Sequence, residues 1–372
     1  MRPTWVEVNT GNIARNLRQI KSTLPKDTQI LAVVKADGYG HGAAPVAIRA
    51  LEEGVSFLGV ALVEEGVALR RAGIAAPILF MEDLFPWQAL DLVRYGLTAT
   101  IASYESAEML SEAAMALGKK AKAHVKVDTG MGRLGLPPNE IANLVRRVAE
   151  LPGIEIEGIF THLACAECNS EMTGRQLEQF DDITEKLRRE GHEIPIRHVA
   201  NSAAMLSLPE AAYDMVRVGG IMYGLSPLGT VAPEKPWVPA LSFHTRVSYV
   251  KLVGPGTPVS YGATYVTSGR EIIATLPVGY ADGYPRALSN VGEVLIGGER
   301  CPVVGRVCMD QTMVSLPADS DVRVGDEVTL IGAQGGDRIF AEELAKAAGT
   351  IGYEIVCAIS KRVPRVYVAG DE

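Results

Sequence analysis

The chain has 372 residues, 47% hydrophobic and 22% charged, which is globular composition with apolar material for more than one ordinary domain. Its 36 basic and 44 acidic residues give a net charge of −8 with no basic block, so the electrostatic footprint of a nucleic-acid binder is absent. There is no leader-like apolar segment and no run of about 18 apolar residues, and five cysteines, an odd number, argue against a disulfide scaffold. A soluble, cytoplasmic protein with no nucleic-acid or membrane partner is expected.

Short apolar runs fall at 30–34, 57–60, 77–80, 98–101, 121–127, 154–160, 196–199 and 215–218. Segments with helical spacing lie between most of them, at 63–71, 104–117, 139–151 and 176–190. Eight strands alternating with helices over about 220 residues predict a (β/α)8 TIM-type barrel. An open doubly wound sheet accepts the same alternation with fewer strands. Residues 230–239 then carry three prolines in ten, which suits an extended crossing. Beyond it, β-type runs at 241–253, 271–277, 293–296, 302–307, 312–316 and 327–331 are divided by Gly and Pro, with one short helix at 340–347. The predicted fold class is α/β, a barrel over 1–235 followed by a mainly β domain over 236–372. The first few residues are free to pack on the β domain.

Barrel enzymes work at the carboxyl ends of their strands, so the residues just past each strand carry the chemistry. After the first strand stands Lys35, opening a glycine-studded segment that must turn close to other backbone. An amine at that position, desolvated on one side and reachable on the other, is set up to attack a carbonyl. Alone it reads equally as a lysine reaching into water from a strand end. Tyr39 follows it, Asp128 and Arg133 follow the fifth strand, His162 the sixth, Asn201 and Ser202 the seventh, and Arg217, Gly219 and Gly220 the eighth.

The last two loops offer a hydroxyl and two backbone amides to a phosphate. Ser202 has the simpler reading of a helix N-cap, and His162 that of a core histidine. A lysine that traps an aldehyde and a phosphate cradle on one rim point to pyridoxal phosphate. An arginine facing the pyridine nitrogen, with a pKa above about 12, keeps that ring unprotonated and a weak electron sink.

Several segments resemble the alanine racemase family. They are 32–42 (Ala-Val-Val-Lys-Ala-Asp-Gly-Tyr-Gly-His-Gly), 126–133, 217–224, 259–262, 279–283, 305–310 and 362–365, spread in order over the whole chain. The resemblance implies a homodimer with shared active sites that interconverts L- and D-alanine by a two-base mechanism and supplies D-alanine for peptidoglycan. It implies Lys35 as the base for D-substrate and Tyr261, donated by the other subunit, as the base for L-substrate. Tyr39, Ser202, Gly219, Gly220 and Tyr353 would hold the phosphate, with Asn201, His162 and Arg217 around the cofactor. Arg133 would meet the cofactor's phenolic oxygen and the substrate carboxylate, which the partner's Met309 amide would also hold. Tyr280 would narrow the entrance, and Lys126 matches a position carbamylated in some relatives.

The pair Cys165 and Cys168 departs from the family pattern. Its spacing would suit zinc or a redox pair, but no fourth ligand is evident, and no metal is expected. The rival readings are a serine or broad-spectrum racemase, a basic amino acid decarboxylase with Cys308 and Asp310 in its site, a non-catalytic cofactor-binding protein, and a zinc-assisted aldolase or dehydratase. Arg217 and the Ser-Tyr-Gly segment at 260–262 favour racemisation, because decarboxylation gains from a strong electron sink. The β domain speaks against the non-catalytic carrier.

Overall fold

The computed structural model describes residues 2–168, 170–227 and 237–370, and the chain divides into two compact units. One comprises residues 17–38 and 43–222, the other residues 1–16, 39–42 and 223–372. The predicted boundary at 235/236 and most of the proline-rich crossing lie outside the described residues.

Strand β1 (Trp5–Asn9) opens the chain and belongs to the second unit. The first unit is built on β2 (Gln29–Val33), β3 (Phe57–Val60), β4 (Ile78–Phe80), β5 (Ala99–Ile101), β6 (Ala121–Lys126), β7 (Ile154–Phe160), β8 (Ile196–His198) and β9 (Met215–Val218). Neighbours pair in parallel from β2 through β4 and from β5 through β8, and β9 pairs back onto β2. The Leu79–Thr98 bridge joins β4 to β5. Backbone bonds from Asp214 N to Arg197 O and from Arg217 N to Ala200 O join β8 to β9. The ring of eight parallel strands is therefore closed, as the alternation predicts.

Both faces of these strands are covered, which is why they read as continuous apolar runs; residues 30–34 are all buried. Helices Val63–Arg71, Tyr104–Leu117 and Pro138–Ala149 lie where the spacing places them. In the last of these Ile141, Leu144, Val145 and Val148 form the buried stripe. Helix Ser170–Arg189 starts before its expected first residue, because its opening turn is largely exposed and carries no apolar signal.

The second unit continues with β10 (Leu241–Arg246), β11 (Tyr249–Val253), β12 (Pro258–Val259), β13 (Tyr265–Val266), β14 (Glu271–Leu276) and β15 (Glu293–Ile296). It ends with β16 (Glu299–Pro302), β17 (Thr312–Pro317), β18 (Glu327–Gln334), β19 (Asp337–Ile339) and β20 (Arg365–Val368). One sheet runs β16-β15-β18-β10-β1-β20, with β19 paired to β18. A second runs β11-β14-β17, and β12 pairs with β13.

Two apolar runs resolve differently from their expectation. The run 241–253 is two strands in different sheets. The run 302–307 leaves the ladder after the Val303–Val314 bridge, because Gly305 takes φ +71°.

That glycine also permits close packing: a Cβ there would lie 2.7 Å from both Ser260 Cβ and Val259 O. Gly305→Ala is expected to destabilise the protein by about 1–2 kcal/mol or more, from a strained backbone plus a clash with the 259–260 loop. The urea midpoint measures it; an unchanged midpoint contradicts this packing.

Candidate active site

Lys35 sits just past β2, half-buried, with no hydrogen-bond or ion-pair partner for its amine among the described residues. The backbone after it turns the wrong way for L-residues. Ala36, Asp37, Gly38 and Tyr39 all have φ between 53° and 61°, a left-handed turn that costs roughly 1–2 kcal/mol per non-glycine residue. Named contacts hold it. The Glu65 carboxylate accepts from Ala36 N at 2.6 Å, Ala61 N at 2.9 Å and Leu62 N at 3.1 Å. Asp37 Oδ1 accepts from Ala43 N at 2.9 Å, and Gly38 N reaches Val34 O at 2.9 Å. In the second unit, a Cβ on Gly40 would fall 2.4 Å from Val356 O and one on Gly42 1.9 Å from Tyr367 Oη, which is the close approach the glycines imply.

Arg217 on β9 is buried inside the barrel. Its Nη1 donates to His198 O at 2.9 Å and His198 Nδ1 at 3.0 Å. Its Nη2 donates to Thr161 O at 2.8 Å, Val199 O at 2.9 Å and His162 Nδ1 at 3.2 Å. The Nε–H meets no protein acceptor among the described residues, so one donor remains for a ligand. Burial and the nearby Arg133 pull the guanidinium down to about 9, below the value expected from sequence, and it stays cationic at neutral pH.

Guanidinium only donates, so His162 Nδ1 must be unprotonated. Burial first, then the cationic groups Arg217, Arg133, Lys126 and Lys35, push His162 down to about 2. The neutral ring therefore carries its proton on Nε2. Gln176 fixes this loop by accepting from Ala164 N at 3.0 Å and donating to His162 O at 3.1 Å and Thr129 Oγ1 at 3.2 Å.

The same unit brings further expected residues to the strand ends. Asn201, not Ser202, is the N-cap of helix Ser202–Ser207, its Oδ1 accepting from Ala204 N at 2.9 Å. That leaves the buried Ser202 hydroxyl to accept from Gly219 N at 3.0 Å. Gly220 N–H has no acceptor among the described residues.

Asp128 accepts from Gly130, Met131 and Gly132 amides. Burial pushes that carboxyl up and the three amides outweigh it, so it stays below its ordinary value. This loop presents Arg133, exposed and unpaired among the described residues. Lys126 is buried, gives one bond to Val127 O at 2.9 Å, and is lowered to about 7 by burial and by Arg217.

The second unit holds Tyr39, Tyr353, Tyr261, Tyr280 and Met309. The Tyr39 ring lies 5.0 Å from that of Tyr223 and 5.9 Å from that of Tyr353. Burial, then Tyr353 and Cys357, push its hydroxyl far up, so it remains a donor.

Tyr261 is 71% exposed on the loop between β12 and β13, next to Ser260 at φ 64°. The Ser260 hydroxyl donates to Arg306 O at 2.6 Å and lies 3.4 Å from Cys308 Sγ. Tyr280 N donates to Cys308 O and Ala281 N to Met309 O, both at 3.0 Å. Tyr261, Tyr280 and Met309, all exposed, are thus displayed from loops tied together at Cys308.

Cys165 and Cys168 close one turn, Cys168 N reaching Cys165 O at 3.1 Å. A hydrogen bond to Cys165 pushes the Cys168 thiol up to about 11. Among the described residues no group of three or more His, Cys, Asp or Glu is placed to hold a metal. Sequence reasoning missed Glu65, Gln176 and Asn201's capping. An Asn directly before a Ser-Ala-Ala helix start is a readable cap signal; Glu65 and Gln176 act across the fold and leave none.

His124, His162 and His198 are all held neutral, burial being the first cause in each. Below about pH 6.5 the unfolded chain binds protons these imidazoles refuse, so stability must fall with acid. The expected slope approaches about 4 kcal/mol per pH unit once all three titrate in the unfolded chain. Urea midpoints at pH 7 and 5.5 measure it; equal midpoints contradict the burial of these rings.

Residues 8–227 match the family model "Alanine racemase, N-terminal domain" and residues 240–367 match "Alanine racemase, C-terminal domain". An alanine racemase of Symbiobacterium thermophilum is 53% identical over 368 residues, 99% of this chain and 97% of that one. One of Halothermothrix orenii is 47% identical over 367 residues, 98% and 97% of the two chains. Among solved structures, an alanine racemase of Clostridium difficile 630 has a TM-score of 0.92 at 42% identity, covering 100% of this chain and 97% of that one. The alanine racemase of Bacillus anthracis with bound L-Ala-P has a TM-score of 0.93 at 40% identity, covering 100% and 96%. The chain belongs to the alanine racemase family of pyridoxal phosphate-dependent isomerases.

Proposed function

We propose that the protein interconverts L- and D-alanine as a cytoplasmic homodimer, supplying D-alanine for peptidoglycan, with each active site shared between subunits. The observation that carries this reading is the pairing of a Lys35 amine and a buried Arg217 Nε–H that both lack protein partners among the described residues. That donor fits the pyridine nitrogen of pyridoxal phosphate; the Ser202 hydroxyl, held by the Gly219 amide, and the Gly220 amide fit its phosphate, to which the family resemblance adds Tyr39 and Tyr353. Asn201 lies at the head of the same loop.

When bound, the cofactor supplies the electron-accepting ring that acidifies the substrate Cα–H. Arg217 donates to the ring nitrogen without protonating it, which keeps that acceptance modest and the side reactions few. Arg133 and the partner-donated Met309 amide hold the substrate carboxylate. Lys35 Nζ takes or returns the Cα proton on one face, acting on D-alanine, and Tyr261 Oη does so on the other, acting on L-alanine.

A tyrosine base needs its phenolate stabilised, and the Nε2–H of His162, fixed by Arg217 at the opposite nitrogen, is a donor for that oxygen. Tyr280 stands beside Met309 as the side chain that limits substrate size at the entrance. A small apolar pocket rejects serine weakly, so alanine is a preference rather than an absolute choice.

Lys126, lowered to about 7, has the unprotonated amine that carbon dioxide requires, and we assign it as carbamylated and orienting Arg133. The intact mass of the protein in bicarbonate is expected to show an acid-labile carbon dioxide adduct absent from Lys126→Met. An identical mass for both removes this assignment.

In deuterated water, L-alanine is expected to gain deuterium at Cα and lose optical activity. Carbon dioxide release, or no exchange, overturns the reading. Tyr261→Phe retains the cofactor's visible absorption and loses at least about a hundredfold in exchange from L-alanine. Mixing it with inactive Lys35→Ala restores turnover, because one hybrid site then contains both bases. Failure to recover contradicts the shared site.

A further inference from the structure

The interior of the barrel below Arg217 holds a chain of polar side chains that the assigned chemistry does not use. His198 Nδ1 takes a hydrogen from Arg217 at 3.0 Å. His198 Nε2 lies 2.8 Å from His124 Nδ1, and the buried His124 Nε2, with no partner at hydrogen-bond distance among the described residues, faces the Glu157 Oε1 charge at 3.6 Å. Glu157 accepts from Thr98 Oγ1 at 2.9 Å and from the exposed Lys122 Nζ at 2.6 Å. Apart from Lys122, every member is buried.

The packing is built around these rings. His198 stacks on Phe160 at 4.7 Å and 5°, and a Cβ on Gly158 would lie 2.5 Å from the His124 ring.

The polarity of the chain is forced. Arg217 has only hydrogens to give, so His198 Nδ1 is bare and its proton is on Nε2. That proton points at His124 Nδ1, so the His124 proton is on Nε2, facing Glu157. Every dipole runs the same way, from guanidinium to carboxylate, across two neutral rings.

We infer that Glu157 is a positioning residue for the reaction, acting through His124 and His198 to hold Arg217 in the orientation that serves both the cofactor and His162. Resting on the proposed racemase activity, this extends the machinery from the rim to the opposite end of the barrel. A carboxylate at the far end makes His124, and then His198, the stronger acceptor. Arg217 Nη1 is thereby anchored, and its remaining donors keep their aim. Replacing the acid by an amide removes the negative end of the chain and sets a glutamine NH2 near the His124 Nε2–H, so the anchor on Arg217 Nη1 weakens while the arginine still dictates both tautomers.

The test is side-chain 15N NMR of the holoenzyme labelled at its six histidines, together with kinetics of Glu157→Gln. In the unmodified protein His124 and His198 are expected as Nε2–H tautomers; either ring found protonated at Nδ1 overturns the inference without any variant. In Glu157→Gln both rings are expected to keep the Nε2–H tautomer that Arg217 dictates, with their 15N shifts displaced by loss of the carboxylate. There kcat falls about tenfold in both directions, KM for alanine holds within about twofold and cofactor content is unchanged. Restoration of the wild-type 15N shifts and of kcat in Glu157→Asp completes the expected pattern.

An unchanged kcat, or an equal loss shared with KM and cofactor binding, overturns a positioning role. Should Glu157→Gln not fold, Thr98→Val, which removes one donor to Glu157, is read by the same 15N-shift and kinetic criteria. The tautomers are read without substrate, so a protein that does not racemise alanine falsifies the proposed function while leaving this hydrogen-bond chain to be judged separately.

Discussion

A guanidinium enclosed by parallel strands has no water to satisfy its hydrogens, and where Arg217 finds acceptors fixes much of this site. Three backbone carbonyls and two imidazoles surround its terminal nitrogens. The carbonyls come from the ends of β7 and β8 and so lock the arginine to the barrel frame. The imidazoles lose their tautomeric freedom because the arginine can only donate. His162 consequently offers a proton outward. A residue usually described as neutralising charge here sets the direction of several hydrogen bonds at once.

The surrounding charges reinforce that arrangement. Lys35, Arg133 and Arg217 crowd the same end of the barrel and depress proton binding at their neighbours. A site so short of protons suits groups that must accept them. It also suits anions, because Arg133 and the Arg217 Nε–H are donors left without partners among the described residues. Asp128 is held by three amides instead of by the arginines, so it organises its loop without cancelling the positive field.

The barrel was legible because each strand is buried on both faces, and eight apolar runs survive as a clear count. The rim residues were legible because fold and polarity together single out strand ends. The β domain was harder. β1 and β20 pair far along the sequence, and only the buried Val6 and Val8, alternating with partly exposed residues, mark the first as a strand. Helix Gly352–Cys357 is too short to show a period.

The run 241–253 hid a change of sheet, since the break at Val247–Ser248 leaves the apolar pattern intact. Glu65 and Gln176 were invisible for a different reason. Gln176 serves backbone groups of another loop, and Glu65, besides capping its own helix at Ala61 and Leu62, reaches Ala36 across the fold, which its spacing along the chain does not show. His124, His198 and Glu157 sit inside strands, where a polar residue reads as an outward-facing one.

The left-handed turn after Lys35 has one more consequence. Glycine at 36 would adopt φ 53° without strain, yet the position holds alanine. A glycine there would also widen the range of directions open to the adjoining amine. Retaining the strained residue narrows that range, with Glu65 and Asp37 supplying the restraint from outside. The segment exchanges a little thermodynamic stability for angular precision at the Lys35 amine.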